Sequence, residues 1–343
     1  MAVTIVLFHA GVGWIWNVAV TGVTFFFVSS TFLLAMRHPF DRITAREYAR
    51  FELSHALRIY PLHWLGLALL LIIAFVIKVR PVDLGATALS ALLVHSWSPL
   101  HDVHYGLNPV AWYLCALLFC YLIYPFMARW IGRWRLRYKV ALAVLLAIVL
   151  GIVLLPLDIP GREAVFVNPL SHVLDVTVGL GLVHLYHILK QRYPHVSYRT
   201  ATIAEAAAML SLAVMIGINV CTTWVKPWED VIIWLIPQGA ILVVLAWLSG
   251  QEGAIGRFLL WRPLQWLGGI SFEVYVLQFV VFHLFAFTVA PLAGHLGFNI
   301  YTQLEWFVLP LLIPFAWIVN RCFTRPLNAF FKRKLSSSSI AVH

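Results

Sequence analysis

The sequence predicts an all-α, polytopic membrane bundle of about ten transmembrane helices, with both termini cytoplasmic. Three observations predict it. Of 343 residues, 62% are hydrophobic and 11% charged, and mean hydropathy is +0.88; soluble domains are about 45–50% apolar and about 25% charged. The apolar residues form long runs, as a hydrocarbon core of about 30 Å demands of helices, and not the alternating segments of about ten residues found in β-barrels. The basic residues are distributed between the runs with a bias that sets orientation.

The apolar runs lie at roughly 2–18, 20–36, 60–78, 110–128, 139–156, 168–189, 201–221, 231–249, 266–290 and 302–322. With Met1 inside, 20 of the 24 Lys and Arg residues fall in inner connections or the tail, among them Arg37 to Arg58, Arg129 to Lys139 and Lys332 to Lys334. Only Lys78, Arg80, Arg162 and Lys226 fall outside. The formal charge of +10 is then a topology signal, and no nucleic-acid partner is needed to explain it. The stretch 84–97 is short and contains His95. Counting it as a span would invert everything after it, so it is expected to be re-entrant or interfacial.

Residues 1–334 read as one integral membrane domain, and 335–343, with four consecutive serines, as a disordered cytoplasmic tail. Cys115, Cys120, Cys221 and Cys322 lie in or beside apolar runs without metal spacing and read as small apolar residues. No metal and no tightly bound cofactor is expected. His101-x-x-His104 has a spacing that could ligate a metal, but it lies in a polar loop without an evident third ligand and reads as solvated or acceptor-contacting. The first run lacks a basic leader, so a cleaved signal peptide is not expected.

The chain is organised around its first forty residues. His9 sits inside the first apolar run, and Gly22 to Phe32 combine a glycine, an aromatic cluster and small hydroxyl residues. Ionisable groups at membrane depth are expensive and usually functional, although a packed histidine in a bundle would read the same way. Asp175, Glu273 and Glu305 are further intramembrane carboxylates.

Five segments, in order, resemble the acyltransferase 3 family of integral membrane O-acyltransferases, in its polysaccharide-modifying type. His9 with Gly22-Val23-Thr24-Phe25-Phe26-Phe27-Val28-Ser29-Ser30-Thr31-Phe32 resembles the family's first-helix histidine and its G-V-D-x-F-F-x-x-S-G-F segment. Arg58-Ile59-Tyr60-Pro61-Leu62-His63-Trp64 is similar to the start of its third helix. Asn108 to Trp112, with Tyr121 and Pro125, resembles N-x-x-x-W-x-L…Y-x-x-x-P. Leu267-Gly268-Gly269-Ile270-Ser271-Phe272-Glu273-Val274-Tyr275 resembles L-G-x-I-S-F-x-x-Y, and Arg325-Pro326 the basic exit after the last helix.

The resemblance implies transfer of an acyl group, commonly acetyl, from cytoplasmic acyl-CoA as co-substrate to a hydroxyl of an extracytoplasmic or lipid-linked polysaccharide. It implies a bacterial inner-membrane location and suggests polysaccharide assembly machinery as a partner beside the lipid bilayer. His9 would be the catalytic base, with a covalent acyl-histidine as an alternative. Arg58 and Ser30 would bind acyl-CoA: a guanidinium suits phosphates, although Arg58 also suits a topological anchor, and Ser30 a packing residue. Asn108, Trp112, Tyr121, Glu273 and Tyr275 would line the acceptor cavity; the aromatic residues among them also suit a membrane-interface belt.

The departures are specific. A family arginine about eleven residues before the histidine would precede Met1, so a longer natural N-terminus is expected. The acid after the tryptophan is Leu117, a second histidine is Gln278, and an arginine before Arg58 is His55. Glu273 is the candidate to replace the missing acid. Two other readings fit the same helices: a transporter or flippase for a lipid-linked saccharide, and an inactive member serving as an assembly partner.

Overall fold

The computed structural model describes residues 2–11, 16–40, 43–77, 82–221, 235–289 and 304–337 and has no strand among them. Helix α1 (Ala2–His9) has eight residues, about 12 Å at 1.5 Å per residue, too short to cross a membrane. The predicted first span is corrected accordingly. The helix stops at His9, Gly11 turns the chain at φ 109°, which glycine tolerates, and α2 (Trp16–Arg37) begins ahead of the predicted 20–36 run.

Helix α3 (Ala45–Ile77) starts well before the predicted 60–78. A reciprocal cap at its head explains this: the Thr44 amide donates to Glu47 Oε2 at 3.1 Å and the Glu47 amide to Thr44 Oγ1 at 3.2 Å. Charged residues assigned to a loop, Arg46, Arg50 and Arg58 among them, therefore ride on a helix. The 84–97 stretch folds as α4 (Leu84–Ala91) and a 3₁₀ turn at His95–Trp97, followed by α5 (His101–His104).

Helices α6 (Ala111–Trp130), α7 (Leu136–Leu154), α9 (Val173–Arg192) and α10 (Tyr198–Cys221) follow the predicted runs, with a short α8 (Ile159–Val167) between α7 and α9. Residues 222–234, which hold the start of the predicted 231–249 run, lie outside the described residues; α11 (Leu235–Trp247) covers most of the rest. After α12 (Ala254–Leu259), the predicted 266–290 run is two helices, α13 (Arg262–Gly269) and α14 (Ser271–Leu284), bent by 62°. Gly268 and Gly269 bring no side chain to brace a straight helix, and Ser271 Oγ donates back to the Gly268 carbonyl at 2.8 Å. Helix α15 (Leu304–Val319) passes through a π turn at Asn320–Thr324 into α16 (Arg325–Ser337). Residues 335–337 of the predicted disordered tail are therefore helical.

Among the described residues, six helices are long and apolar enough to cross a membrane, seven if the bent pair is one span; Gly22–Arg37 and Ile236–Trp247 are apolar but shorter. The chain is thus an all-helical membrane protein. Helix α1 packs on α2, α14 and α15, while α3 packs on α6 and α14, and α2 on α9 and α11. The α2–α9 crossing is close: a Cβ on Gly179 would stand 2.7 Å from Thr31 Cβ. Small residues permit such approaches between membrane helices.

Candidate active site

His9 ends α1 and meets α14. Its Nδ1 lies 2.9 Å from Gln278 Oε1, while Gln278 Nε2 donates 2.8 Å to the Tyr275 carbonyl. The second bond decides the first. A carbonyl only accepts, so the Gln278 amide must turn its NH₂ to Tyr275 and its oxygen to His9. Nδ1 then carries the ring's hydrogen, and the neutral ring has its lone pair on Nε2. The ring is held between Phe8 and Phe279, at centroid distances of 5.2 and 5.3 Å. His9 is only partly buried. The position where the family motif has a second histidine thus supplies the partner that fixes the tautomer.

Tyr275 and Asn108 tie α14 to the start of α6. Tyr275 OH donates to the Val110 carbonyl at 3.2 Å, and Asn108 Nδ2 to the Val276 carbonyl at 3.3 Å. Tyr113 stands 5.2 Å from Tyr275 and 4.6 Å from Phe27, ring to ring, with the Ser30 hydroxyl beside its own. His9, Gln278, Tyr275, Asn108, Tyr113 and Ser30 therefore line one seam between α1, α2, α6 and α14.

The other expected site residues fall elsewhere. Tyr121 lies with His55, 4.3 Å between rings, and feels the charge of Arg58, so it belongs with the exposed Arg58 and not with Asn108. Glu273 is buried and accepts from Asn320 Nδ2 at 2.8 Å. That bond turns it toward the α15 side and away from the α6 seam. The acidic side chain within reach of α6 is Asp175, near Cys120 one turn after Leu117. The side chain of Glu305 lies outside the described residues.

Trp112 is buried against Phe166 and stacks on His172, with ring centroids 5.1 and 6.0 Å away. His172 was not read from the sequence, although its one-turn spacing to Asp175 was the available signal. Its Nδ1 is 2.7 Å from Asp175 Oδ2, its Nε2 is 3.1 Å from the Phe166 carbonyl, and its ring stacks on Phe27 at 3.9 Å. The pair borders a cavity of about 40 Å³ with Thr24, Arg162, Phe166 and Ser171, room for a few waters at most. Outside the spans, burial holds the His104 ring below its ordinary value, and burial pushes the Tyr105 phenol up to about 12.

These observations define a helical membrane protein with a tautomer-fixed histidine between helices at its N-terminal segment. A family model described as an acyltransferase domain, acyltransferase 3, matches residues 2–321, nearly the whole sequence. The chain belongs to that family. No curated protein and no solved structure matches it.

Proposed function

We propose that the chain is a membrane O-acyltransferase that moves an acyl group, acetyl in the first instance, from cytoplasmic acyl-CoA to a sugar hydroxyl of an extracytoplasmic or lipid-linked polysaccharide. We place it in the bacterial inner membrane, with the arginine-rich connections on the inner side, on the strength of the basic-residue pattern. The observation that carries the reading is the chain from His9 through Gln278 to the Tyr275 carbonyl, which gives a neutral histidine a committed lone pair.

In this reading His9 Nε2 takes the acceptor hydroxyl proton as the oxygen attacks the thioester carbon. The carbonyl oxygen becomes anionic, and the hydroxyls of Ser30 and Tyr113 are the donors nearest the seam to receive it. When the C–S bond breaks, the thiolate takes the proton back from Nε2. One ester and one thiol result, with no net proton change. Arg58, beside Tyr121 and His55, receives the CoA phosphates. Asn108, Trp112 and Tyr275 face the acceptor side.

The test is acyl transfer by purified protein in nanodiscs, from radiolabelled acetyl-CoA to candidate glycans. His9→Ala, folded by thermal melt, is expected to abolish transfer. Full transfer by folded His9→Ala would remove His9 as the base. No transfer or thioester hydrolysis by the wild type, with several acyl donors, would overturn the enzymatic reading.

A further inference from the structure

A second group of histidines lies where the segment 84–104 packs on α3, apart from His9. His63 of α3, His95 of the 3₁₀ turn and His104 of α5 are at most 1% exposed. Three side chains of α3 hold the end of α4 through consecutive carbonyls. Tyr60 OH donates to Leu92 O at 2.9 Å, His63 Nε2 to Ser90 O at 2.8 Å, and Trp64 Nε1 to Ala91 O at 2.9 Å. The hairpin turns on Leu93 at φ 54°, a conformation that a branched residue seldom takes.

The backbone bonds assign the hydrogens. His63 Nε2 faces a carbonyl and must carry a hydrogen, so in the neutral ring Nδ1 is a bare acceptor. His104 Nδ1 faces the Ser98 carbonyl at 3.2 Å, so its Nε2 is the bare acceptor. Neither bare nitrogen has a hydrogen-bond partner among the described residues, nor do Asn108 Oδ1, Ser90 Oγ and both ring nitrogens of His95. His95 stands within electrostatic reach of both neighbours. The flanking rings are thus fixed in one tautomer, and His95 is free to exchange between its two. Buried polar atoms concentrated in this way call for small donors, and water is the donor that serves every atom of the set.

We propose that this cluster is a hydrated proton path in which His95 is the shuttle, passing protons between water held on His104 Nε2 toward the outer loop and water held on His63 Nδ1 toward the core. A proton arriving on one His95 nitrogen leaves from the other. Only N–H and O–H bonds change, nothing is oxidised, and a ring flip restores the first tautomer. Burial, with His63 and His104 adding to it, pushes His95 down to about 3, which keeps the ring neutral and unable to trap the proton. The other ionisable groups around the path are Tyr60 and Cys115 on the core side, and His101, Asp102, Tyr105 and Glu163 on the outer side. At the inner end, Gly66, one turn from His63, abuts Val276 and Leu277, in the stretch of α14 that carries Tyr275 and Gln278. Helix α3 therefore packs the cluster beside the helix that orients His9. The path's service to acyl transfer rests on the function proposed above; its hydration does not.

Two arms test it on the full chain in nanodiscs. Millisecond X-ray hydroxyl-radical labelling with mass spectrometry reads bound water directly. Modification of Tyr60, His63 and His95 well above that of the buried Phe32 is expected, and labelling as slow as Phe32 would overturn the hydrated path. In the transfer assay, His95→Gln keeps hydrogen bonding but cannot exchange tautomers. A fall in kcat of at least about tenfold is expected, with a changed pH profile and solvent isotope effect and partial rescue by free imidazole. His95→Gln with wild-type kcat and pH profile would overturn the shuttle. If the wild type transfers nothing, the functional reading falls and the labelling arm alone decides the path.

Discussion

The contact between Gly179 and Thr31 can be tested as a pair. Where the family motif has glycine in S-G-F, this chain has Thr31, and the helix opposite offers Gly179. A Cβ on Gly179 would stand 2.7 Å from Thr31 Cβ, 2.9 Å from Thr31 Cγ2 and 3.1 Å from the Val28 carbonyl. Ordinary carbon contacts are about 3.5–4.0 Å, so α2 and α9 would have to part by about 1 Å, against a backbone atom that cannot rotate away. Overpacking of this kind costs about 1–3 kcal/mol, and alanine's better helix propensity returns up to about 1 kcal/mol. Gly179→Ala is therefore expected to lose about 1–2 kcal/mol. Thr31→Gly alone is also expected to destabilise, since Thr31 is buried. Combined, the two should interact favourably by about 1–2 kcal/mol, because the new methyl fills the space that the threonine vacates. The assay is a four-protein cycle of thermal and denaturant melts in one detergent. Gly179→Ala melting at or above wild type, or a double variant additive within about 0.5 kcal/mol, would refute the reasoning.

Other outcomes follow from buried polar groups. Gln278→Leu, which cannot fix the His9 tautomer, should lower kcat by about 10–100-fold, by analogy with lost partners of metal-bound histidines, while Gln278→His retains more of it; equal rates for wild type and Gln278→Leu would rule the amide out as orienter. Glu205 is buried and accepts the amides of Gly253, Ile255 and Gly256 at 2.9–3.0 Å. Glu205→Ala should lose at least about 3 kcal/mol in denaturant melts, and an unshifted midpoint would refute that. Asn320→Leu strips Glu273 of its donor and should destabilise by about 1–3 kcal/mol; adding Glu273→Leu should recover part of it, and failure to recover would place the loss elsewhere. His95 is depressed to about 3 when folded, against 6.5 for a solvated histidine, so below pH 6.5 the unfolded chain binds the extra proton. Between pH 7 and pH 5 it should withdraw about 2 kcal/mol of stability, less where water relaxes the site, and His95→Gln should flatten the dependence of Tm on pH over that interval.

The helical membrane class was legible because hydropathy and charge bias act over whole segments and do not depend on contacts. His9 was legible because one ionisable residue in an apolar run stands out, and because its neighbours match a family pattern. Helix ends were less legible. An apolar run locates where a helix is buried, not where it begins: the polar first turns of α3 are set by the Thr44–Glu47 cap, and α1 stops at a glycine inside an apolar stretch. Tertiary partners were least legible. Gln278 reaches His9 across 269 positions and Glu205 reaches Gly253 across 48, and no local period encodes either pairing. The His172–Asp175 pair was legible in principle, since both fall in the 168–189 run at one-turn spacing, but spacing alone does not tell a pair from two residues on one helix face.

Counting hydrogens separates the histidines of the membrane domain by what each can do. His172 faces the Asp175 carboxyl with Nδ1 and the Phe166 carbonyl with Nε2. Both bonds need a hydrogen, and the carbonyl can supply none. The pair therefore holds two protons between the ring and the carboxyl, as imidazolium with carboxylate or as imidazole with acid. Either way Nε2–H is committed and His172 offers no lone pair to an incoming hydroxyl. His9 differs. Its Nδ1 faces Gln278 Oε1 at 2.9 Å. The Gln278 amide thus takes the Nδ1 hydrogen and leaves Nε2 as the base. If the two histidines were exchanged in role, His172→Gln would abolish acyl transfer and His9→Gln would spare it; the hydrogen count predicts the reverse.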